Sequence, residues 1–310
     1  MKDALTPART LGLGIDAGGT ETRWALMDSG GGIAREGQLR GFSALQVREP
    51  ERAWVAHILT ELAEEVLAIG RPECVHAGLT GFGGESQVLK VLIATPLGLS
   101  PEAVTVGSDI ETSYLDLFSP GEGYVVYAGT GSVAAFVDES GVLHRVGGRG
   151  VIVDDAGGGF WIAREALRHV WRGEEEQPGN WRSSPLATEL FAAIGGPEFA
   201  DTRRYVYEGS RGDVGRLALA VARAADRDEA ARAILRAAGI ELARLARVMA
   251  GRYGPRPVAL TGRAASLHPL IAEAMRASTS PETSIELRPC RGHHAAAHLA
   301  LRAACRTPSS

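Results

Sequence analysis

The sequence predicts an α/β protein of two domains that open in the same way. Residues Leu11 to Gly41 read as an apolar strand, a Gly-Gly-Thr turn, a second strand, a three-glycine turn and a third strand. The same order returns in "GYVVYAGTGSVAAFVDESGVLHRVGG", where Ala128-Gly129 falls on Ala17-Gly18 about 110 residues later, the mark of a duplicated supersecondary unit. Between and after these units, short apolar strands alternate with segments of helical period. A chain of 310 residues is long enough for two domains with cores of their own.

Each element has a local reason. Pro50 to Ile69 reads as a helix, because Trp54, Ile58, Leu62, Val66 and Ile69 recur near the 3.6 period while Glu61, Glu64 and Glu65 face outward. "CVHAGLTGFG" is a buried strand running into a glycine loop. "SQVLKVLIATPLGL" is a helix expected to stop at Pro96, and "AVTVGSDIETSYLDLF" a strand expected to break at Gly107 before a helix. After the second meander, Glu165 to Met249 is mostly helical, interrupted by the polar loop "GEEEQPGNWRSSP", and is read as a structural helical layer. "RPVALTGRAAS" is a strand and glycine turn before a helix at His268 to Ser278. "TSIELRPC" is the last strand and "GHHAAAHLALRAAC" the last helix.

Composition narrows the function. A formal net charge of −4 gives no reason to expect nucleic acid or an anionic membrane as partner. The only lysines are Lys2 and Lys90, which removes most schemes that need a catalytic lysine. Cys74, Cys290 and Cys305 are odd in number and form no C-x-x-C, against a disulfide framework, a zinc site or an iron–sulfur cluster. The first ten residues lack an apolar stretch, no run approaches a membrane span, and the expected location is the cytoplasm.

The chemistry concentrates in three places. Asp16-Ala17-Gly18-Gly19-Thr20 is either a hairpin turn or a phosphate cradle. Asp16 ends an apolar strand, where a carboxylate is costly without a task. Thr20, Thr22 and Arg23 add hydroxyls and a cation, and glycines let backbone N–H groups approach an anion. No Gly-Lys-Ser/Thr follows, and the next residues read as strand, so neither a Walker loop nor a Rossmann fingerprint is present. Asp109, at a strand end, is a candidate general base or a helix N-cap. Glu111 and Asp116 on the following helix read as solvated or packing residues. "DDAGGGFWIAREAL" offers Asp154, Asp155 and a glycine run before a helix, either a flexible helix entry or an anion site. His293, His294 and His298 read as surface or packing histidines, since no neighbouring carboxylate or cysteine joins them in sequence.

Four segments in order, "GIDAGGTETRWAL", "VGSDIETSYLD", "VYAGTGSVAAFV" with "GGRGVIVDDAGGGFWIAREAL", and "ALTGRAAS", resemble the N-acetylglucosamine kinase branch of the BadF/BadG/BcrA/BcrD ATPase family. The likeness covers nearly the whole chain. It implies two ribonuclease-H-like domains of the actin-like ATPase kind with ATP in a cleft between them: residues 1–112, on which a final helix at about 293–306 packs back, and residues 113–292, with a helical insertion at about 165–250. By resemblance Asp16 holds Mg²⁺, and Gly18, Gly19 and Thr20 approach the terminal phosphates, with Thr22 and Arg23 beside them. Asp109 is the general base. Gly129, Thr130, Gly131 and Ser132 form the second phosphate segment, Gly147, Gly148 and Asp155 lie near the sugar, and Gly262 and Arg263 form the adenosine segment. Two departures stand out. Arg263 replaces a common second glycine, and Ser43 stands in a loop that usually carries a sugar-binding Asn. The implied function is an ATP- and Mg²⁺-dependent kinase of a small sugar, N-acetylglucosamine or a related amino sugar or hexose, acting as a homodimer. The alternative is a family ATPase that couples hydrolysis to a partner protein, whose cluster-binding cysteines Cys74, Cys290 and Cys305 do not match.

Overall fold

In β1 (Leu11–Ala17) large and small residues alternate, and that alternation sets the first unit. Leu13, Ile15 and Ala17 enter the main apolar cluster on one face of the sheet. Gly12, Gly14 and Asp16 take the other face. β2 (Glu21–Asp28) and β3 (Ile33–Arg40) complete an antiparallel meander. α1 (Arg52–Leu67) leads to β4 (Cys74–Leu79), and α2 (Gln87–Leu97) to β5 (Val104–Ser108) and α3 (Asp109–Leu117). The sheet order is β3-β2-β1-β4-β5, with β4 and β5 parallel to β1. The computed structural model describes residues 10–84 and 86–304.

The second unit follows the same plan. β6 (Tyr124–Ala128), β7 (Ser132–Val137) and β8 (Leu143–Gly147) form its meander. The helical layer comprises α4 (Gly159–Glu176), α5 (Pro185–Ile194), α6 (Phe199–Glu208), α7 (Arg211–Arg216), α8 (Ala218–Ala224) and α9 (Glu229–Tyr253). β9 (Val258–Thr261), α10 (Pro269–Ala277) and β10 (Ile285–Leu287) close it, in the order β10-β9-β6-β7-β8. α9 packs on all three strands of the meander.

α11 (Gly292–Ala304) returns to the first unit and lies across β1, β2 and β4. A Cβ at Gly14 would overlap Ala297 N and His293 O, and one at Gly12 would fall 2.8 Å from Leu301 Cγ. The two glycines therefore let the helix axis approach the strand directly. The compact units are residues up to Asp116 with those from Arg291 on, and Leu117–Cys290. A boundary after residue 112 would cut α3, whose hydrogen-bonded turns stay together; the break falls at the helix end.

Several local expectations change. Trp54 is 37% exposed and Ile69 is 42% exposed, beyond the helix end. The buried stripe is Val55, Ile58, Leu59, Leu62, Ala63 and Val66, and the Arg40 guanidinium lies 5.4 Å from the Trp54 ring centre. Pro96 lies inside α2 instead of stopping it. Its missing N–H removes one bond in the last turn, and the helix ends at Gly98, left-handed at φ 66, whose N–H reaches the Ala94 and Thr95 carbonyls. β5 does not break at Gly107 but runs to Ser108, pairing Gly107 with Gly78. Gly173 to Glu176 belong to α4, so the polar loop is shorter than expected. Residues 305 and 306 of the expected last helix, with Cys305, lie outside the described residues, as does Lys2. Among the described residues no helix is long and apolar enough to cross a membrane.

Candidate active site

In the first unit one row of paired residues crosses four strands: Arg23, Asp16, Gly78 and Gly107. A Cβ at Gly78 would lie 3.3 Å from Asp109 Cα and overlap Thr112 Oγ1. This glycine thus lets the start of α3 settle against β4, beside Asp16. Asp16 is half-buried, and its pKa is pushed up to about 7. Burial is the main cause, followed by the Asp109 carboxylate; the Arg23 cation opposes them, while Asp116 and Glu21 add to the rise. On its other side Asp16 meets the start of α11. A Cβ at Gly292 would fall 2.7 Å from Asp16 Oδ2. The partial positive charge of a helix N-terminus suits a carboxylate there.

Asp109 opens α3 in its first turn, and its Oδ1 accepts the Ile110 N–H at 2.8 Å. Asp116, read as a solvated or packing residue, instead belongs to this acidic group. Its Oδ2 accepts the Arg291 N–H at 2.7 Å, which ties α3 to the segment entering α11. Helical spacing from Asp109 gave the only sequence hint, since Asp116 stands seven residues on.

The first hairpin is closed by Gly18 N–H to Glu21 O at 2.9 Å, and none of the described residues stands within 4 Å of an added Cβ at Gly19. Thr20 and Arg23 flank it. Thr22 does not join them. It pairs with Ala17, so strand alternation turns it to the opposite face, where it is fully buried and its hydroxyl has no partner among the described residues. Ser43 is engaged locally: its hydroxyl donates to the Thr80 carbonyl at 3.1 Å and accepts the Leu45 N–H at 3.2 Å, capping a short helical turn.

In the second unit Gly129 N–H closes the hairpin onto Gly131 O at 2.9 Å. The first N–H groups of α4 are already used here: Gly159 donates to Gly129 O at 2.8 Å and Phe160 to Thr130 O at 3.0 Å. The glycine run before α4 serves this docking, because a Cβ at Gly158 would lie 2.6 Å from the Gly131 carbonyl carbon. Ser132, expected at phosphate, is buried and donates to the Ala156 carbonyl at 2.7 Å. Asp155 is buried, left-handed at φ 53, and its Oδ1 accepts the Gly150 N–H at 3.0 Å. Its Oδ2 abuts Gly131 so closely that a Cβ there would overlap it. Burial raises the Asp155 pKa most, Gly150 and Arg149 N–H groups lower it, Asp154 raises it and Arg211 lowers it. Asp154 pairs with Arg244 at 3.2 Å.

Gly147 and Gly148 have positive φ and turn the chain behind the hairpin, where Gly148 N–H bonds Ser132 O at 2.9 Å. Gly262, at φ 98, packs so tightly on Ala128 that no side chain fits, and Ala264 N–H bonds Ala128 O at 2.8 Å. The segment expected at adenosine thus meets the strand that feeds the hairpin, with Arg263 exposed. Sequence reasoning missed α7. Gly215 lies 3.4 Å (from its added Cβ) from Thr130 Cγ2, and Arg211 acts on Asp155. A helical layer of ordinary composition carries no local signal for either.

Two meanders of like order, each ending its first strand in a glycine hairpin beside a carboxylate, give the chain the two-domain actin-like fold that sugar kinases share. The family profile described as BadF/BadG/BcrA/BcrD ATPase matches residues 13–286, and the chain belongs to that family. Among solved structures it is similar to a candidate N-acetylglucosamine kinase from Chromobacterium violaceum, at 22% identity over 95% of this chain and 100% of that one, with a TM-score of 0.69. A second candidate N-acetylglucosamine kinase, from Porphyromonas gingivalis, is 17% identical over 94% and 99% of the two chains, with a TM-score of 0.71. A glucokinase of the ROK family from Streptomyces griseus, in complex with glucose and AMPPNP, is 16% identical over 94% and 99%, with a TM-score of 0.60. Comparison with curated proteins gives no match.

Proposed function

We propose that the protein transfers the terminal phosphoryl group of ATP to a hydroxyl of a small sugar, N-acetylglucosamine or a related amino sugar or hexose. The observation that carries this reading is the approach of Asp109 to Asp16, close enough for its charge to raise the Asp16 pKa, beside a glycine hairpin. Phosphoryl transfer asks a protein for positioning and charge neutralisation more than for covalent chemistry. Mg²⁺ takes oxygen ligands and keeps several waters, so one or two carboxylates suffice. Apart from the Arg23 cation, the charged groups that act on Asp16 are the carboxylates of Asp109, Asp116 and Glu21, oxygen donors of the kind that ion takes. Asp16 would hold it, and the bound ion would supply positive charge to neutralise the phosphates.

The chain's own residues do the rest. Gly18, Gly19 and Thr20 of one hairpin, and Gly129, Thr130 and Gly131 of the other, hold phosphate oxygens, with Arg23 as a further cation. Asp109 takes the proton of the sugar hydroxyl through the carboxylate that Ile110 N–H orients. Asp155 accepts a second sugar hydroxyl. Gly262 and Arg263 face the adenosine. The test is ADP release measured across amino sugars, hexoses and anhydro sugars with Mg²⁺ and ATP. A sugar-dependent rate is expected. ADP release independent of every sugar, or a response only to glycerol or a carboxylate acceptor, overturns the reading and favours an ATPase coupled to a partner.

A further inference from the structure

The histidines that open α11 do meet a carboxylate, one that sequence distance hid. Glu36 Oε2 lies 2.6 Å from His294 Nε2 and 3.3 Å from His293 Nε2, and the two rings stand 4.5 Å apart at 74°. One ligand atom from each of the three residues falls within 4.8 Å of the others. We propose that Glu36, His293 and His294 form a binding site for a divalent transition metal of the zinc or cobalt class, which pins α11 to the edge strand β3.

The geometry suits such an ion. Ligand atoms about 2.0–2.2 Å from a tetrahedral metal lie roughly 3.3 Å from one another, so the His293 to Glu36 spacing already fits and His294 needs only a small shift. Two imidazoles and one carboxylate suit zinc, cobalt or nickel, whereas Mg²⁺ prefers oxygen alone. Burial is graded. His293 is buried and held in place, His294 is partly covered, and Glu36 faces solvent, which leaves an open side for water ligands. Arg23 is the nearby cation, and it acts on His293 less than burial and His294 do. Because Gly292, one residue earlier, abuts Asp16, an ion here also fixes the helix end against the Asp16 carboxylate.

The inference does not rest on the kinase reading, and its test uses the metal alone. The metal-free full chain is titrated with Co²⁺, without nucleotide or Mg²⁺, and followed by visible absorption and calorimetry. One equivalent with an absorption band of low coordination number is expected. Glu36→Gln and His294→Ala should each weaken binding by at least 10–100-fold, and His57→Ala, at an exposed histidine of α1, should leave it unchanged. Glu36 is exposed, so its variant folds. No Co²⁺ bound, or equal binding by the wild type, Glu36→Gln and His294→Ala, overturns the proposal.

Discussion

The Asp16 carboxylate lies against Gly292, at the first residue of the helix that returns from the far end of the chain. The residue two before Asp16, Gly14, is likewise covered by that helix, but there the contact is with backbone. The two positions therefore respond differently to an added methyl. Gly14→Ala meets atoms that cannot swing aside and should cost roughly 1–3 kcal/mol or more of stability, measured by urea unfolding. Gly292→Ala meets the tip of a side chain. It should leave the urea midpoint nearly unchanged while weakening Mg²⁺·ATP binding by calorimetry. Equal loss of stability in both variants would remove the special relation of Gly292 to Asp16.

The raised pKa of Asp16 has a definite sign. Its ordinary value is 3.8 and its folded value about 7, so between these limits the folded state holds a proton that the unfolded state has released. Stability from this group is full below pH 3.8 and falls as pH rises through about 7. His76 works in the opposite sense. Burial lowers its pKa from 6.5 to about 4, so its contribution is lost as pH falls through that window. The difference between wild type and Asp16→Asn isolates the first effect. The variant should become the more stable of the two as pH rises towards 8 in metal-free buffer, by thermal unfolding. Added Mg²⁺ should narrow the gap, and a gap independent of pH would contradict the assignment.

Asp109→Asn keeps the shape of the side chain and can still accept the Ile110 N–H. It should fold and bind ATP as the wild type does. Its sugar-dependent rate should fall by roughly 10²–10⁴, the usual worth of a positioned base. A fully active variant ends the assignment and moves the test to Asp155.

Thr130→Val keeps the methyl that faces Gly215 and the backbone carbonyl that Phe160 holds, and removes only the hydroxyl. ATP affinity should drop by roughly 1.5–3 kcal/mol, the worth of a hydrogen bond to a charged group. Ser132→Ala serves as the contrast. Its hydroxyl is tied to Ala156 O, so the loss should appear in stability instead of affinity. Calorimetry with ATP separates the two, and unchanged affinity in Thr130→Val would take the second hairpin out of the site.

Much of this protein was determined by the sequence alone, because the physics involved is local. Alternation in Leu11–Ala17 and Tyr124–Ala128, glycines at the hairpins and helical period in α1 and α9 act over a few residues, and they gave the two meanders and the order of elements. The acid at the end of β1 and the acid opening α3 were legible for the same reason: a carboxylate at an apolar strand end is rare without a task. Tertiary structure decided what lies across from what. Thr22 and Arg23 are neighbours in sequence, yet pleating sends one into the core and the other to the Asp16 face. Gly12 and Gly14 look like weak points of a strand until α11 covers them. Glu36 and His293 are 257 positions apart, and no local period links them. Only the return of the last helix to the first sheet, driven by burial of Ala297 and Leu301 against Ala25 and Met27, brings those side chains together.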